Sequence, residues 1–118
     1  MNRDYQIIQH IFRYCEEIDE AMSHFGLDYT GFQKNAVYRN AVSMPVQQVG
    51  ELAKHLTDEF ISSNSEIPWK QIKGMRDWFA HQYLMMDSEA IWNTVVYDIP
   101  GLKNFCEKWL DMHQDISL

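Results

Sequence analysis

Apolar residues recur every three or four positions along most of this chain, the period of amphipathic helices. From Arg3 to about His24, Ile8, Ile11, Phe12, Cys15, Ile18, Met22 and Phe25 fall on one stripe. Glu16, Glu17, Asp19 and Glu20 lie mostly off it and predict a solvated face. Gly26 is placed to end this helix as a C-cap. Leu27 to Gly31 reads as a loop, with Thr30 as the cap of the next helix. The helical period returns from Phe32 to about Ser62, through Ala36, Val37, Val49, Leu52, Ala53, Leu56 and Phe60. Pro45 interrupts it, and a proline inside a helix costs about 3 kcal/mol. The spacing therefore predicts one bent helix, or two stacked pieces meeting near Ser43 and Met44. Glu51, among Gly50, Leu52 and Ala53, reads either as a functional carboxylate or, in the favoured reading, as a structural acid paired with Arg39 or a histidine, since isolated buried charge is costly.

Residues 62–66 form a polar connector, and Pro68 suits the first turn of a third helix running to about Phe79. Gly74 lies inside that helix at a cost of roughly 1 kcal/mol against alanine, which predicts a close helix approach. Asp87 or Ser88 can cap the last segment. Its stripe is Ile91, Trp92, Val95, Val96 and Ile99, continued by Leu102, Phe105, Cys106, Trp109 and Leu110 beyond Pro100 and Gly101. Pro100 should bend or break it. No strand period, repeat or low-complexity run competes. The expectation is all-α: a single domain over residues 1–118, built as an antiparallel up-and-down bundle of four main helices, with kinks or breaks near Pro45 and Pro100.

Composition sharpens this picture. The chain has 118 residues, 46% hydrophobic and 14% aromatic, which suits one packed core. Its formal net charge of −7 argues against a general nucleic-acid coat, which shows a basic face. An RNA enzyme with a local positive cleft remains compatible, and nonspecific RNA binding should be weak. Cys15 and Cys106 fall at apolar helix positions and are expected as free core thiols. No Cys-x-x-Cys occurs and the five histidines lack ligand spacing, so neither a metal site nor a cofactor is expected. Met1 to Tyr5 do not form a signal peptide and no stretch is apolar enough to span a bilayer, so the expected location is the cytoplasm.

The candidate chemistry gathers in Arg76-Asp77-Trp78-Phe79-Ala80-His81-Gln82-Tyr83. At about 100° per residue, Ile72, Met75, Trp78 and Phe79 share a core face. Lys73, Asp77 and His81 follow one another on the opposite side. Arg76 lies at the border, and Tyr83 returns near its azimuth. Histidine moves protons near neutrality, and arginine grips phosphate oxygens through paired hydrogen bonds. Together they suit a phosphodiester, with Asp77 one turn before His81 to orient the imidazole.

Arg-x4-His-x-Tyr, with a polar residue after the arginine, resembles the signature of HEPN-domain proteins and of the HepT family in particular. Ile67-Pro68-Trp69 and Ile72-Lys73-Gly74-Met75 lead into it, Asp98-Ile99-Pro100-Gly101-Leu102 follows, and Gly50-Glu51-Leu52-Ala53 lies upstream. The likeness runs from roughly Arg3 to Leu110. Asp77 stands where asparagine is frequent, and Pro45 where the family helix reads without proline. The resemblance implies a HEPN-like helical bundle acting as a metal-independent endoribonuclease toxin. It implies a homodimer, or a higher even oligomer, that assembles Arg76 and His81 from two copies. It also implies a cognate minimal nucleotidyltransferase antitoxin that adenylylates Tyr83. The alternative function is a noncatalytic nucleotide- or substrate-binding partner of such a nucleotidyltransferase.

Overall fold

The structure, a computed structural model, describes residues 2–75 and 88–114. Helix α1 spans Asn2–Phe25. Its apolar stripe is buried as the period predicts: Ile8, Ile11, Cys15 and Ile18 have no exposed surface, and Met22 is covered as well. Gly26 ends the helix with φ at 103° and donates its N–H to the Met22 carbonyl at 2.8 Å. That left-handed conformation carries a Cβ penalty for other residues.

The expected loop after Gly26 is shorter than Leu27–Gly31. Helix α2 occupies Tyr29–Lys34, and its cap is Asp28 rather than Thr30. The Asp28 carboxylate accepts the backbone N–H of Thr30 at 3.4 Å and of Gly31 at 3.3 Å. Asp28 sits one step outside the helix, where its oxygens meet the orphan N–H groups, while Thr30 is already inside the first turn.

Pro45 does not split the next stretch. Helix α3 runs Ala36–Ala53 with Pro45 inside it, so the single-helix form holds. The breaks fall on either side. The Asn35 side chain accepts the N–H of Val37 at 2.9 Å and of Tyr38 at 3.2 Å. After Ala53 the chain turns, and Thr57 caps helix α4, Asp58–Ser63, by accepting the Phe60 N–H at 3.1 Å. Magnitudes explain why the helix survives its proline. The lost bond and ring clash cost about 3 kcal/mol. Val42, Val46 and Val49 have no exposed surface, and full burial of such side chains contributes roughly 1.5–3 kcal/mol each.

Helix α5 is described over residues 69–75. Helix α6, Ser88–Asn93, passes into a π turn, Thr94–Asp98, and then into helix α7, Ile99–Met112. This is the form the disruption near Pro100 takes. The Ile99 N–H reaches back five residues to the Thr94 carbonyl. Pro100 then sits in the first turn of α7, where a missing N–H costs little. The wider turn keeps Ile91, Val95 and Ile99, spaced by four, on the buried side. Among the described residues, nothing lies within 4 Å of a Cβ built at Gly74 or Gly101. The close approach expected at Gly74 is therefore not found. Ser88 opens α6 from inside the helix, and Asp87 lies outside the described residues.

α1 packs against both α3 and α7, and side chains from α1 to α7 join one apolar cluster. The described residues contain no strand, so the architecture is the all-α bundle that the pattern predicts. Among them no helix is long and apolar enough to cross a membrane. Glu51 is half-buried and lies 4.0 Å from His55, so its histidine partner is found. Arg39 instead donates to the carbonyls of Phe32 and Gln33.

Cys15 and Cys106 are free and fully buried. Burial, helped by nearby Asp19, pushes the Cys15 thiol up to about 12. Burial and then Cys15 itself raise Cys106. Folding thus favours the protonated thiols, whereas unfolded thiols ionise near about 8.5. Their stabilising effect is complete below that pH and is lost as pH climbs towards 12, by up to about 1.4 kcal/mol per unit per thiol. Urea unfolding should show lower stability at about pH 10 than at about pH 8, with a smaller drop for Cys15→Ala.

Candidate functional site

Arg76, Asp77, His81 and Tyr83 all lie outside the described residues, as do Trp78 and Phe79. What the structure describes is the helices that precede and follow this segment in the sequence, and the surfaces of those helices. On the N-terminal side, Trp69, Ile72 and Met75 are buried at helical spacing, so α5 does present the core face expected of it. Gln71 on its other side is exposed and Lys73 is half-buried. Trp69 is the anchor. Its indole N–H donates to the Asn64 carbonyl at 2.9 Å. Its ring packs edge-on against Phe60 and Phe105, each with centroids 5.8 Å away.

A second aromatic cluster holds the C-terminal side. Trp92 on α6 meets Phe32 at 5.1 Å, Tyr29 at 6.1 Å and Tyr38 at 6.2 Å. Tyr38 is fully buried and donates its hydroxyl to the Gly26 carbonyl at 2.8 Å. Burial raises its phenol above the ordinary value, so it stays a neutral donor. The hydroxyls of Tyr29 and Ser88 lie 3.3 Å apart. Helices α5 and α6, the described elements before and after residues 76–87, are therefore fixed to the core by aromatic packing, each such pair contributing about 0.5–1.5 kcal/mol beyond its buried area.

Among the described residues a cavity of about 540 Å3 lies between α1, α6 and Pro100 of α7, and two others lie against the two ends of α7. The larger, about 650 Å3, lies between the start of α1, α4 and the end of α7. One of its carboxylates is already engaged: Asp4 accepts the Thr57 N–H at 2.9 Å and its hydroxyl at 2.6 Å. The smaller, about 240 Å3, is lined by described residues that come before and after the candidate segment in the sequence. It is walled by Ile67, Pro68 and Met75 on one side and by Tyr97, Asp98 and Gly101 on the other. These are the runs that flank Arg-x4-His-x-Tyr in the sequence, and Met75 is the residue before Arg76. Size alone favours the larger of these two, whereas chemistry favours the smaller.

A family model described as ribonuclease HepT-like matches residues 11–109. The chain belongs to the HepT-like ribonuclease family. Ribonuclease is accordingly its activity class. A relative from Caldanaerobacter subterraneus, named as a putative RNase, is 34% identical over 96 residues, covering 81% of this chain and 84% of its own. Another from Methanocaldococcus jannaschii, also named as a putative RNase, is 34% identical over 82 residues, or 70% of this chain and 71% of its own. A probable ribonuclease HepT from Thermococcus cleftensis is 38% identical over 68 residues, or 58% of this chain and 62% of its own. No solved structure gives a significant match. Among the described residues of this HepT-like chain, no group of three or more His, Cys, Asp or Glu is placed to hold a metal ion.

Sequence reasoning singled out Arg76, Asp77, His81 and Tyr83, which are contiguous. It did not single out Gln71 or Tyr97, and it took Gly101 as part of a helix break and of the Asp98–Leu102 run that carries the family resemblance. The signal at Tyr97 is weak but real: an aromatic residue in an apolar run whose side chain is 76% exposed once folded. The anchoring role of Trp69 gives a direct test. Trp69→Ala should destabilise the fold by about 3–5 kcal/mol, as large-to-small core substitutions do. Trp69→Phe should cost less, because it keeps the aromatic contacts and loses the bond to Asn64. Urea unfolding of both variants measures this.

Proposed function

We propose that this HepT-like ribonuclease is the toxin of a toxin–antitoxin pair, and that Arg76 and His81 cut RNA in a cleft shared by two copies. The observation that carries the proposal is the complete Arg-x4-His-x-Tyr within the family-matched span. The geometry of α5 supports it, since Trp69, Ile72 and Met75 anchor the turn immediately before Arg76. A two-fold interface places the same patch on both sides. Two guanidiniums and two imidazoles then face one phosphodiester, which concentrates positive potential on a body of net charge −7.

In this mechanism one His81 takes the proton of a 2′-hydroxyl. The freed oxygen attacks the adjacent phosphorus, and the bond to the 5′-oxygen of the next nucleotide breaks. The partner copy's imidazolium returns a proton to that leaving oxygen. Arg76 stabilises the charge on the five-coordinate phosphorus, and Asp77 orients the imidazole. The products are a 2′,3′-cyclic phosphate and a 5′-hydroxyl. Because the nucleophile is the 2′-OH, DNA is spared, and no metal takes part in the step. Arg76→Ala and His81→Ala should each abolish cleavage of single-stranded RNA while leaving the unfolding curve and dimer mass intact. Chelation by EDTA should leave the wild-type rate unchanged. Continued cleavage by both variants would remove the assignment.

Tyr83 is the proposed control point. A cognate nucleotidyltransferase transfers the adenylyl group of ATP to its phenol oxygen, with pyrophosphate leaving. The added phosphate brings bulk and negative charge against the guanidinium, the physics by which phosphorylation closes a site. Incubation with the nucleotidyltransferase and ATP should add one or more adenylyl masses and silence cleavage. Tyr83→Phe should gain no mass and remain active in the same mixture.

A further inference from the structure

The groove between α5 and the start of α7 has no role in that chemistry. Its volume of about 240 Å3 lies just under the roughly 300–1,000 Å3 usual for small-ligand pockets. It suits one flat group better than a whole cofactor or a folded segment of another protein. Met75 and Leu102 give it buried apolar walls, while Glu66, Gln71, Tyr97 and Asp98 line it as exposed side chains.

Three features of this groove bear on what it could hold. Tyr97 is held on the π turn at 76% exposure, a large ring left in water. Asp98 lies where the π turn passes into α7, with its carboxylate exposed beside that ring. Gly101 weakens its helix although a Cβ there would meet nothing within 4 Å. All three fit a flat occupant. The ring offers a stacking face, the carboxylate accepts hydrogen bonds, and the missing Cβ leaves clearance.

Charge narrows the choice. The carboxylates of Glu66 and Asp98 repel a phosphate group and accept N–H donors. An unpaired nucleobase brings a π face and an edge of N–H groups, and proteins read single-stranded RNA through bases splayed out in this way. We propose that the groove receives one unpaired base of the RNA substrate, stacked on Tyr97, with its N–H edge donated to Asp98 and its phosphate kept outside. This inference rests on the reading that the chain cuts RNA with Arg76 and His81. Guanine is the expected base, because its ring and exocyclic N–H groups lie side by side and meet both oxygens of one carboxylate.

The test combines cleavage kinetics on short single-stranded RNAs with binding of the same RNAs to the His81→Ala protein, read by fluorescence anisotropy. Tyr97→Ala should raise KM about five- to a hundred-fold with kcat nearly unchanged, the size of one lost base–aromatic stack. Tyr97→Phe should restore it. Gly101→Leu should raise KM without lowering the thermal midpoint, since the helix gains a better former and the groove is filled. Asp98→Asn should relax a preference for guanine beside the cut. If His81→Ala is inactive while the groove variants keep the wild-type KM and cut-site pattern, the base subsite is wrong and the cleavage site stands. If His81→Ala still cuts, the cleavage site is wrong, and the anisotropy of Tyr97→Ala against wild type still decides the groove. If Tyr97→Ala binds RNA normally but no longer binds the nucleotidyltransferase, the groove is a protein surface and the proposal is overturned.

Discussion

The two-sided burial of helix α1 is the constraint on which the rest of the structure depends. Ile8, Ile11, Cys15 and Ile18 have no exposed surface, and α1 packs against both α3 and α7. A helix covered on two sides fixes the position of both neighbours. That requirement keeps α3 a single helix despite Pro45, because Val42, Val46 and Val49 must stay in the same core. It acts on α7 as well. Ile99, Leu102 and Cys106 belong to the cluster, and the π turn at Thr94–Asp98 lets Ile91 and Val95 reach it from the preceding helix. The polar link between α1 and α7, Lys103 to Asp19 at 2.6 Å, is half-exposed and adds at most about 1 kcal/mol. Apolar burial decides the arrangement, and the ion pair trims it.

From that frame, two aromatic clusters hold the described helices α5 and α6, which precede and follow residues 76–87 in the sequence. Phe60, Trp69 and Phe105 sit under α5, and Phe32, Tyr38 and Trp92 sit under α6. Aromatic side chains suit this task because each buries a large area while losing few rotamers. Site chemistry that depends on distances of about 3 Å needs supports that do not drift.

The helical period made the buried faces legible in the sequence, since Ile8, Ile11, Cys15, Ile18, Ile91, Val95, Ile99, Leu102 and Cys106 are all at positions that the pattern marked. The boundaries were less legible, and the reason is local. Asp28, Asn35 and Thr57 each turn a side-chain oxygen onto backbone N–H groups, and these short-range bonds outweigh the running apolar period. Pro45 shows the opposite bias: a strong local penalty that tertiary burial overrides. The π turn could not be read at all, because it reflects a register compromise between α6 and α7 against the core. For the proposed site, Arg76, His81 and Tyr83 could be picked out in the sequence because they fall within eight residues. The groove was not, because its walls come from residues 66–75 and 97–102, which meet only in the folded chain.

Net charge sets the terms on which such a protein meets RNA. Most nucleic-acid binders draw their affinity from lysine and arginine contacts to phosphates and from the counterions these release. A chain with 17 acidic residues against 10 lysines and arginines has little of that to draw on. A net negative charge opposes a polyanion at long range. On the proposed reading, binding comes from short-range contacts that the field does not cancel: a guanidinium on one phosphate, and a base stacked on an aromatic ring. Such contacts are directional and need an unpaired strand. On the proposed reading this is also what makes control by one added phosphate effective. Where the positive potential is confined to a pair of arginines, a single charged group placed beside them removes most of it.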